Sequence, residues 1–238
     1  MDAKENIEMT QKLADSFIKS SISLYEQKLT KRLKELEFTQ KRYLNDGKLV
    51  NFENKYFPVA YNFYKWESHK ANFNWFVLQG SFKYASNIVA RLAFPKKKNI
   101  PVLSMNLNLK LDAKTFSVIL GYKTPNQLPE NLFNDIQDND LIKEKPIYRD
   151  DNTENFIGTR LSFEITSDII EKTLCKAELY ILSWLNYLES TQDNNISAID
   201  FIDKYKSELE KLHKADKTVY DELFGDSWLF NLFKNEIL

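Results

Sequence analysis

The chain has 238 residues, of which 43% are hydrophobic and 14% aromatic, enough for one large domain or at most two small ones. With 33 basic and 34 acidic residues, the net charge is −1, which argues against a general nucleic-acid-binding protein. Glycine is scarce (5 residues), and neither GxGxxG nor GxxxxGK[ST] occurs, which argues against a classical nucleotide-binding enzyme.

Cysteine and histidine are also too few for several kinds of site. Cys175 is the single cysteine, so no internal disulfide can form, and His69 and His213 are far apart, which argues against a zinc or haem site made of protein ligands. The residues MDAKENIEMT do not resemble a signal peptide, and no window of about 18 apolar residues predicts a membrane span. We therefore expect a cytoplasmic protein, or a stromal one if the source is a plastid-bearing eukaryote, although no transit peptide is visible.

Residues 10–44 have the apolar period of an amphipathic helix, and residues 45–47 (NDG) are predicted to end it. The apolar stripe is expected to pack on its own domain, although it could instead bind a partner helix. The stripe consists of Leu13, Phe17, Tyr25, Leu29, Leu33 and Leu36.

From Leu49 the pattern changes to alternation rich in aromatic residues, which is typical of strands on a half-buried sheet. Five or six strands with short connections follow one another, so an antiparallel meander is favoured over βαβ units. Strands are predicted within residues 51–68, 72–85, 88–94, 102–109 and 115–122, with turns at 84–87, 95–99 and 111–114.

The last third of the chain predicts a long segment and then helices. Residues 123–155 hold three prolines and are expected to be a functional loop or to contain short helices, and residues 156–165 fit a last strand. A helix is predicted over 166–189, with Asp168 and Glu171 at capping-box spacing. Another is predicted after Ser197, and the apolar tail is expected to dock on the core. The buried face of the first helix is predicted to be Ile169, Thr173, Ala177, Tyr180, Trp184 and Leu188.

Together these elements predict an α+β fold: one domain over residues 1–238, with a central antiparallel sheet flanked by helices. Trp66, Trp75 and Trp184 are expected in the core, and Cys175 is expected to be buried and inert. Asn106 stands between two large apolar residues on a predicted strand. By alternation alone it faces solvent, or else it points into an apolar ligand pocket and orients a substrate.

Two groups of motifs resemble one family, the ferredoxin-dependent bilin reductases. The first is FP at 94–95 followed by IPVLSMNL at 100–107, and the second is ADKT at 215–218 followed by FGDSW at 224–228 and an apolar end. Their order and spacing agree over about residues 73–238. The resemblance implies an α/β/α sandwich with a bilin pocket between the sheet and the carboxy-terminal helices.

It also implies an oxidoreductase that reduces biliverdin, or a related linear tetrapyrrole, to a phycobilin or phytobilin. Reduced ferredoxin, an external [2Fe-2S] protein, would supply single electrons, the substrate would carry the radical, and no flavin or metal would be bound. Asp216 would be the proton donor, because a carboxyl group with a raised pKa suits a substrate whose basicity rises with each electron. Alternatively, Asp216 is a solvated residue in a basic stretch. The protein is expected to be a monomer.

Asn106 departs from the family, most of whose members have Asp there. Because an amide cannot deliver a proton, Asn106 would hold pyrrole groups by hydrogen bonds. The family's strand histidine falls at Ala90, and its strand glutamate falls near Gln79, with a one-residue uncertainty. These differences favour the phytochromobilin-forming or phycoerythrobilin-forming type, with reduction on the A-ring side, over the phycocyanobilin-forming type.

The predicted substrate-binding residues carry charge, an amide or an apolar wall; they are Gln79, Arg91, Met105, Arg160 and Lys96. Arg91, Arg160 and the lysines at 96–98 are candidates for the two propionates, although these lysines could be solvated or meet acidic ferredoxin. Three other functions stay open: a reductase of a chlorophyll-derived open tetrapyrrole, a non-catalytic bilin carrier, and a helical interaction protein.

Overall fold

The computed structural model describes residues 3–52, 55–80, 86–96, 100–110, 114–124, 127–151 and 156–191, together with 203, 204 and 207. Asp216, the motifs ADKT and FGDSW, the apolar tail, and Lys97 and Lys98 lie outside the described residues. Of the helix predicted after Ser197, the three described residues are helical and exposed.

Eight strands form one antiparallel sheet in the order β1-β2-β3-β4-β5-β6-β8-β7. The first six follow one another as a meander, as predicted, and the α+β class with a central antiparallel sheet is confirmed. The strands are β1 (Thr39–Phe52), β2 (Lys55–Glu67), β3 (Ala71–Gly80), β4 (Ser86–Pro95), β5 (Val102–Lys110), β6 (Thr115–Lys123), β7 (Tyr148–Asp151) and β8 (Phe156–Glu164).

The amino-terminal helix is shorter than the sequence predicts. Helix α1 (Ala3–Leu24) continues through a π-helical turn (Tyr25–Leu29) into α2 (Thr30–Glu35). Glu37 then adopts a left-handed φ of 60°, and β1 begins. The predictions of helix to residue 44 and of a stop at 45–47 are wrong, because residues 39–52 pair with the aromatic strand β2. The described part of the stripe packs against its own domain, as predicted.

Helix α4 (Ser167–Ser190) agrees with its prediction in extent and in its buried face. Its cap differs: the Thr166 hydroxyl accepts a hydrogen bond from the Ile169 amide at 3.2 Å, while Asp168 pairs with Lys172 at 2.9 Å. The helix therefore begins two residues before the predicted capping box, because the Thr166 side chain already satisfies a free amide there.

The long segment before β8 contains α3 (Glu130–Gln137), a 3₁₀ turn (Asp140–Lys143) and the edge strand β7. Short helices were expected there, whereas β7 was not predicted. Salt bridges join this segment to α4: Lys172 to Glu144 at 2.8 Å and Lys176 to Asp140 at 3.0 Å.

Helices α1 and α4 cover the same side of the sheet, which we call the helix face. Phe17 of α1 meets Phe116 of β6 edge-on, with ring centroids 5.3 Å apart, and Tyr180 of α4 stacks on Tyr122 at 5.6 Å. The three tryptophans predicted for the core are buried, and Trp184 donates to the Pro101 carbonyl oxygen at 2.7 Å.

Cys175 is exposed, so the prediction of a buried thiol is wrong. It lies away from the buried stripe of α4 and lines a groove of about 570 Å³ between α1 and α4. In the part of the chain that the structure describes, no helix is long and apolar enough to cross a membrane.

Candidate functional site

The face of the sheet opposite the helices carries a concentration of amide side chains, and we call it the amide face. Successive strand residues point to opposite faces, so the burial of Met105 and Leu107 among the helix-facing core residues turns their neighbours the other way. The amide-face residues with amide side chains are Asn72, Asn74, Asn106 and Asn108.

Asn106 lies near the middle of this face. In the sheet register its neighbours are Ala90 on β4 and Ile119 on β6, and Ile119 pairs in turn with Arg160 on β8. Asn106 and Arg160 are therefore on the same face, two strand spacings or about 10 Å apart. Of the predicted site residues, the structure brings these two together.

The side-chain amide oxygen (Oδ1) of Asn106 is buried and has no hydrogen-bond partner among the described residues. The same holds for the carbonyl oxygens of Asn72 and Asn108. Burying an acceptor without a hydrogen-bond donor lowers the free energy of unfolding by about 1–3 kcal/mol. A bound ligand that donates to these oxygens would offset this cost. Asn106 as a whole is partly buried, and its buried amide oxygen fits an amide that points into a ligand pocket better than a side chain that faces solvent.

In the rows of cross-strand partners that contain Asn106 and Asn108, the two halves of the amide face differ in polarity. Phe63, Phe76 and Leu78 on β2 and β3 are buried, whereas β5, β6 and β8 present Asn, Ser and Arg side chains. An apolar surface beside a few fixed polar groups is the usual composition of a small-molecule site.

The guanidinium of Arg160 packs over the aromatic ring of Phe156. Its guanidinium carbon lies 5.1 Å from the centroid of the Phe156 ring, which is cation–π geometry. The ring in turn lies over the paired residues Gly121 and Gly158, where a Cβ on Gly121 would come within 2.7 Å of the ring. The two glycines thus leave room for the ring that supports Arg160.

Gln79 and Met105 lie on the helix face and not with Asn106. The Gln79 amide nitrogen donates to Asp15 Oδ1 of α1 at 3.2 Å, and Met105 is 2% exposed in the core. Arg91 occupies the register position between Trp75 and Met105, a row of that same face. Leu78, the residue just before Gln79 in the chain, does lie on the amide face, but it has no ionisable group.

Lys96 contacts the turn between β2 and β3. Its ammonium donates to the Ser68 carbonyl oxygen at 2.7 Å, and its backbone amide donates to the Lys70 carbonyl oxygen at 2.7 Å. Lys70, a residue that no sequence pattern indicated, donates from its ammonium to carbonyl oxygens at the end of α4. Lys96 therefore has a structural role, whatever else it binds.

No acid or histidine stands in the middle of the amide face. A row here is the set of residues that are register partners across neighbouring strands. In the described rows that contain Asn74, Asn106 and Asn108, strands β3–β6 and β8 carry no Asp, Glu or His. Among the described residues, no cluster of His, Cys, Asp and Glu could hold a metal ion either. The same rows contain acids nearer the edges of the sheet, since Asp150 of β7 is opposite Arg160 and Asp46 of β1 is in the row of Asn108. A group that protonates a ligand in the middle of the face must come from such an edge position, from another part of the protein or from solvent.

The shifted pKa values lie on the helix side of the sheet. Burial raises the pKa of the Asp135 carboxyl on α3, while a hydrogen bond from Ser183 partly opposes this shift. Burial also raises the pKa of the Tyr122 and Tyr180 phenols, and nearby Asp135 adds to both shifts. This buried polar cluster between α3 and α4 was not predicted, because it depends on the packing of two distant segments.

The same fold occurs in a crystal structure of selenomethionine-labelled phytochromobilin synthase from tomato in complex with biliverdin. The two chains superpose with a TM-score of 0.58 at 15% sequence identity, over 87% of this chain and 80% of that chain. The fold is that of phytochromobilin synthase. No family model matches the sequence, and no curated protein is similar to it in sequence. The fold expected from the motifs is thus confirmed by structure.

Proposed function

We propose that this protein is a bilin reductase that acts on biliverdin or a related linear tetrapyrrole with electrons from reduced ferredoxin. The observation that supports the proposal is the buried, unpartnered carbonyl oxygen of Asn106 in the middle of the amide face. It occurs on a sheet whose fold is shared with a synthase crystallised with biliverdin. In the proposal the tetrapyrrole lies against the amide face, with its rings on the apolar half and a ring N–H donated to Asn106.

The chemistry needs electrons and protons in equal number. Two electrons and two protons remove one double bond of the bilin, and the first electron gives a substrate radical. Each added electron raises the basicity of the bilin, so a proton follows. Asn106 holds the substrate but cannot donate this proton, because its amide is not acidic. We assign the donor role to Asp216; the proposal includes no bound flavin or metal.

Arg160 is the proposed partner of a substrate propionate. A guanidinium binds a carboxylate through two parallel hydrogen bonds, and its stacking on Phe156 fixes the plane of the group. Ala90, next to Asn106, and Leu78, in the row of Asn108, offer no ionisable group in place of the family's histidine and glutamate. This supports reduction on the A-ring side.

A bilin carrier is the second candidate. It is favoured by one observation: the described middle of the amide face contains no carboxylate or imidazole that could protonate a bilin. A carrier would need the same apolar surface and amides but no proton donor.

The two functions separate in one experiment. Purified protein is titrated with biliverdin while the bilin absorption spectrum is recorded, and reduced ferredoxin is then added. A spectral change on binding, followed by loss of the biliverdin bands, supports the reductase. Binding without turnover supports the carrier, and an unchanged spectrum on titration contradicts both.

A further inference from the structure

Asn108, two residues after Asn106 on β5, has the same kind of buried and unpartnered side-chain oxygen. Both residues belong to β5 and both lie on the amide face, two positions and about 7 Å apart. The carbonyl oxygen of each is buried and has no partner among the described residues.

The neighbours of Asn108 do not supply a donor. Its register partner on β4 is Ile88, an apolar residue, and its partner on β6 is Ser117. The Ser117 hydroxyl is hydrogen-bonded to the Ser162 hydroxyl at 3.0 Å and makes no hydrogen bond to the amide oxygen of Asn108. The amide of Asn108 thus lies between an apolar neighbour and a hydrogen-bonded serine pair.

A second buried acceptor weakens the protein unless something donates to it. A linear tetrapyrrole carries several ring N–H donors in one extended conjugated system, so it can reach two acceptors on the same strand. We propose that Asn108 is a second substrate-binding residue, whose carbonyl oxygen accepts a hydrogen bond from a bilin ring N–H other than the one that Asn106 holds. This inference rests on the proposed function.

Two acceptors at a fixed spacing would also determine where the bilin lies along β5. One hydrogen bond fixes a point of the ligand, whereas two fix its direction and its register against the strand. Asn108 would therefore help to decide which ring lies beside the proton donor, and it is a specificity-determining residue in this proposal.

The test compares Asn108→Leu with the wild type by biliverdin titration and by thermal unfolding without bilin. Leu has the same branched arrangement of heavy atoms and removes the unpartnered oxygen, so unfolding of the free protein should occur at the same temperature or higher. Biliverdin affinity should fall about three- to tenfold, the value of one net hydrogen bond. Gln137→Leu, which also replaces an amide by Leu but at an exposed position on α3, away from the amide face, is the control and should change neither quantity.

Each other outcome is decisive. If the wild type binds biliverdin and Asn108→Leu binds it equally well, the inference is overturned while the proposed function stands. If the wild type does not bind biliverdin, the proposed function fails and the inference with it. If Asn108→Leu does not fold, Asn108→Ala removes the same amide without adding atoms, and its affinity decides in the same way.

Discussion

Asn106 and Arg160 lie in one row of the sheet, on the same face and two strands apart, with Ile119 between them. The row joins a neutral amide to a guanidinium across an apolar side chain, over about 10 Å. A ligand that binds both would be long and largely apolar between its polar ends, and an anionic group at one end would suit the guanidinium. A linear tetrapyrrole with propionate side chains has these three features.

Arg160→Gln should weaken the binding of biliverdin about tenfold, because it removes a charged partner of a carboxylate. The dimethyl ester of biliverdin carries no carboxylate, so its affinity should change by no more than about twofold. Titration of both compounds measures the difference, with Lys110→Gln as the control, since Lys110 is exposed at the end of β5 on the same face. Equal losses for acid and ester would show that Arg160 does not bind the propionate.

Asp216→Asn should leave biliverdin binding intact and stop the reaction after the first electron, because the radical then lacks its proton donor. A radical spectrum that persists under reduced ferredoxin is the expected readout. The control is Asp203→Asn, a change at an exposed helical residue, which should turn over normally. Unchanged product formation by Asp216→Asn would remove the role assigned to Asp216.

Asp135→Asn should stabilise the protein at neutral pH. Burial raises the pKa of the Asp135 carboxyl in the folded state, so the folded protein binds this proton more tightly than the unfolded chain. The associated stability is complete below the unfolded pKa of about 3.9 and is lost as the pH rises through the folded pKa. Urea unfolding at several pH values should show a gain from Asp135→Asn at pH 7 that vanishes near pH 3.

Glu171→Gln is the control for this series, since Glu171 is exposed on α4. It should show no comparable gain at pH 7. A wild-type protein as stable as Asp135→Asn across the whole pH range would contradict the burial effect.

Lys70→Met should lower the free energy of unfolding by about 1–2 kcal/mol. The ammonium of Lys70 donates to the carbonyl oxygens of Leu188, Glu189 and Thr191 at 3.0–3.3 Å, where α4 ends. Removing it leaves the negative end of the helix dipole without its cation. Chemical denaturation measures the loss, and Lys34→Met, at an exposed position of α2, should cost less than about 0.5 kcal/mol. Equal losses would argue against a capping role.

The sheet strands and α4 could be predicted because local pattern and tertiary packing agree in them. The end of the first helix could not, since Glu37 adopts a left-handed φ without a glycine to mark it. Residues 45–47 resemble a turn, yet they lie within β1, opposite residues 60–62 of β2. Pairing with a long aromatic strand outweighed the local turn preference there.

The candidate site was predictable in part. What the sequence did not determine is the face of the sheet on which each strand residue lies. Asn106 was found from its motif, and its face follows from alternation once Leu107 is known to be in the core. Gln79 was expected beside it, but a one-residue difference in register moves a strand side chain to the opposite face. The contact of Lys70 with α4 joins residues more than a hundred positions apart, and no local pattern records it.

Biliverdin titration of the wild type and of Asn106→Leu tests most directly whether the side-chain amide oxygen of Asn106 is held for a bilin. The wild type should bind with a changed bilin spectrum. Asn106→Leu should bind about tenfold more weakly, while the free protein unfolds at the same temperature or higher, because the variant no longer buries an unpartnered oxygen. Equal affinity in the two proteins, or an unchanged biliverdin spectrum with the wild type, would contradict the account.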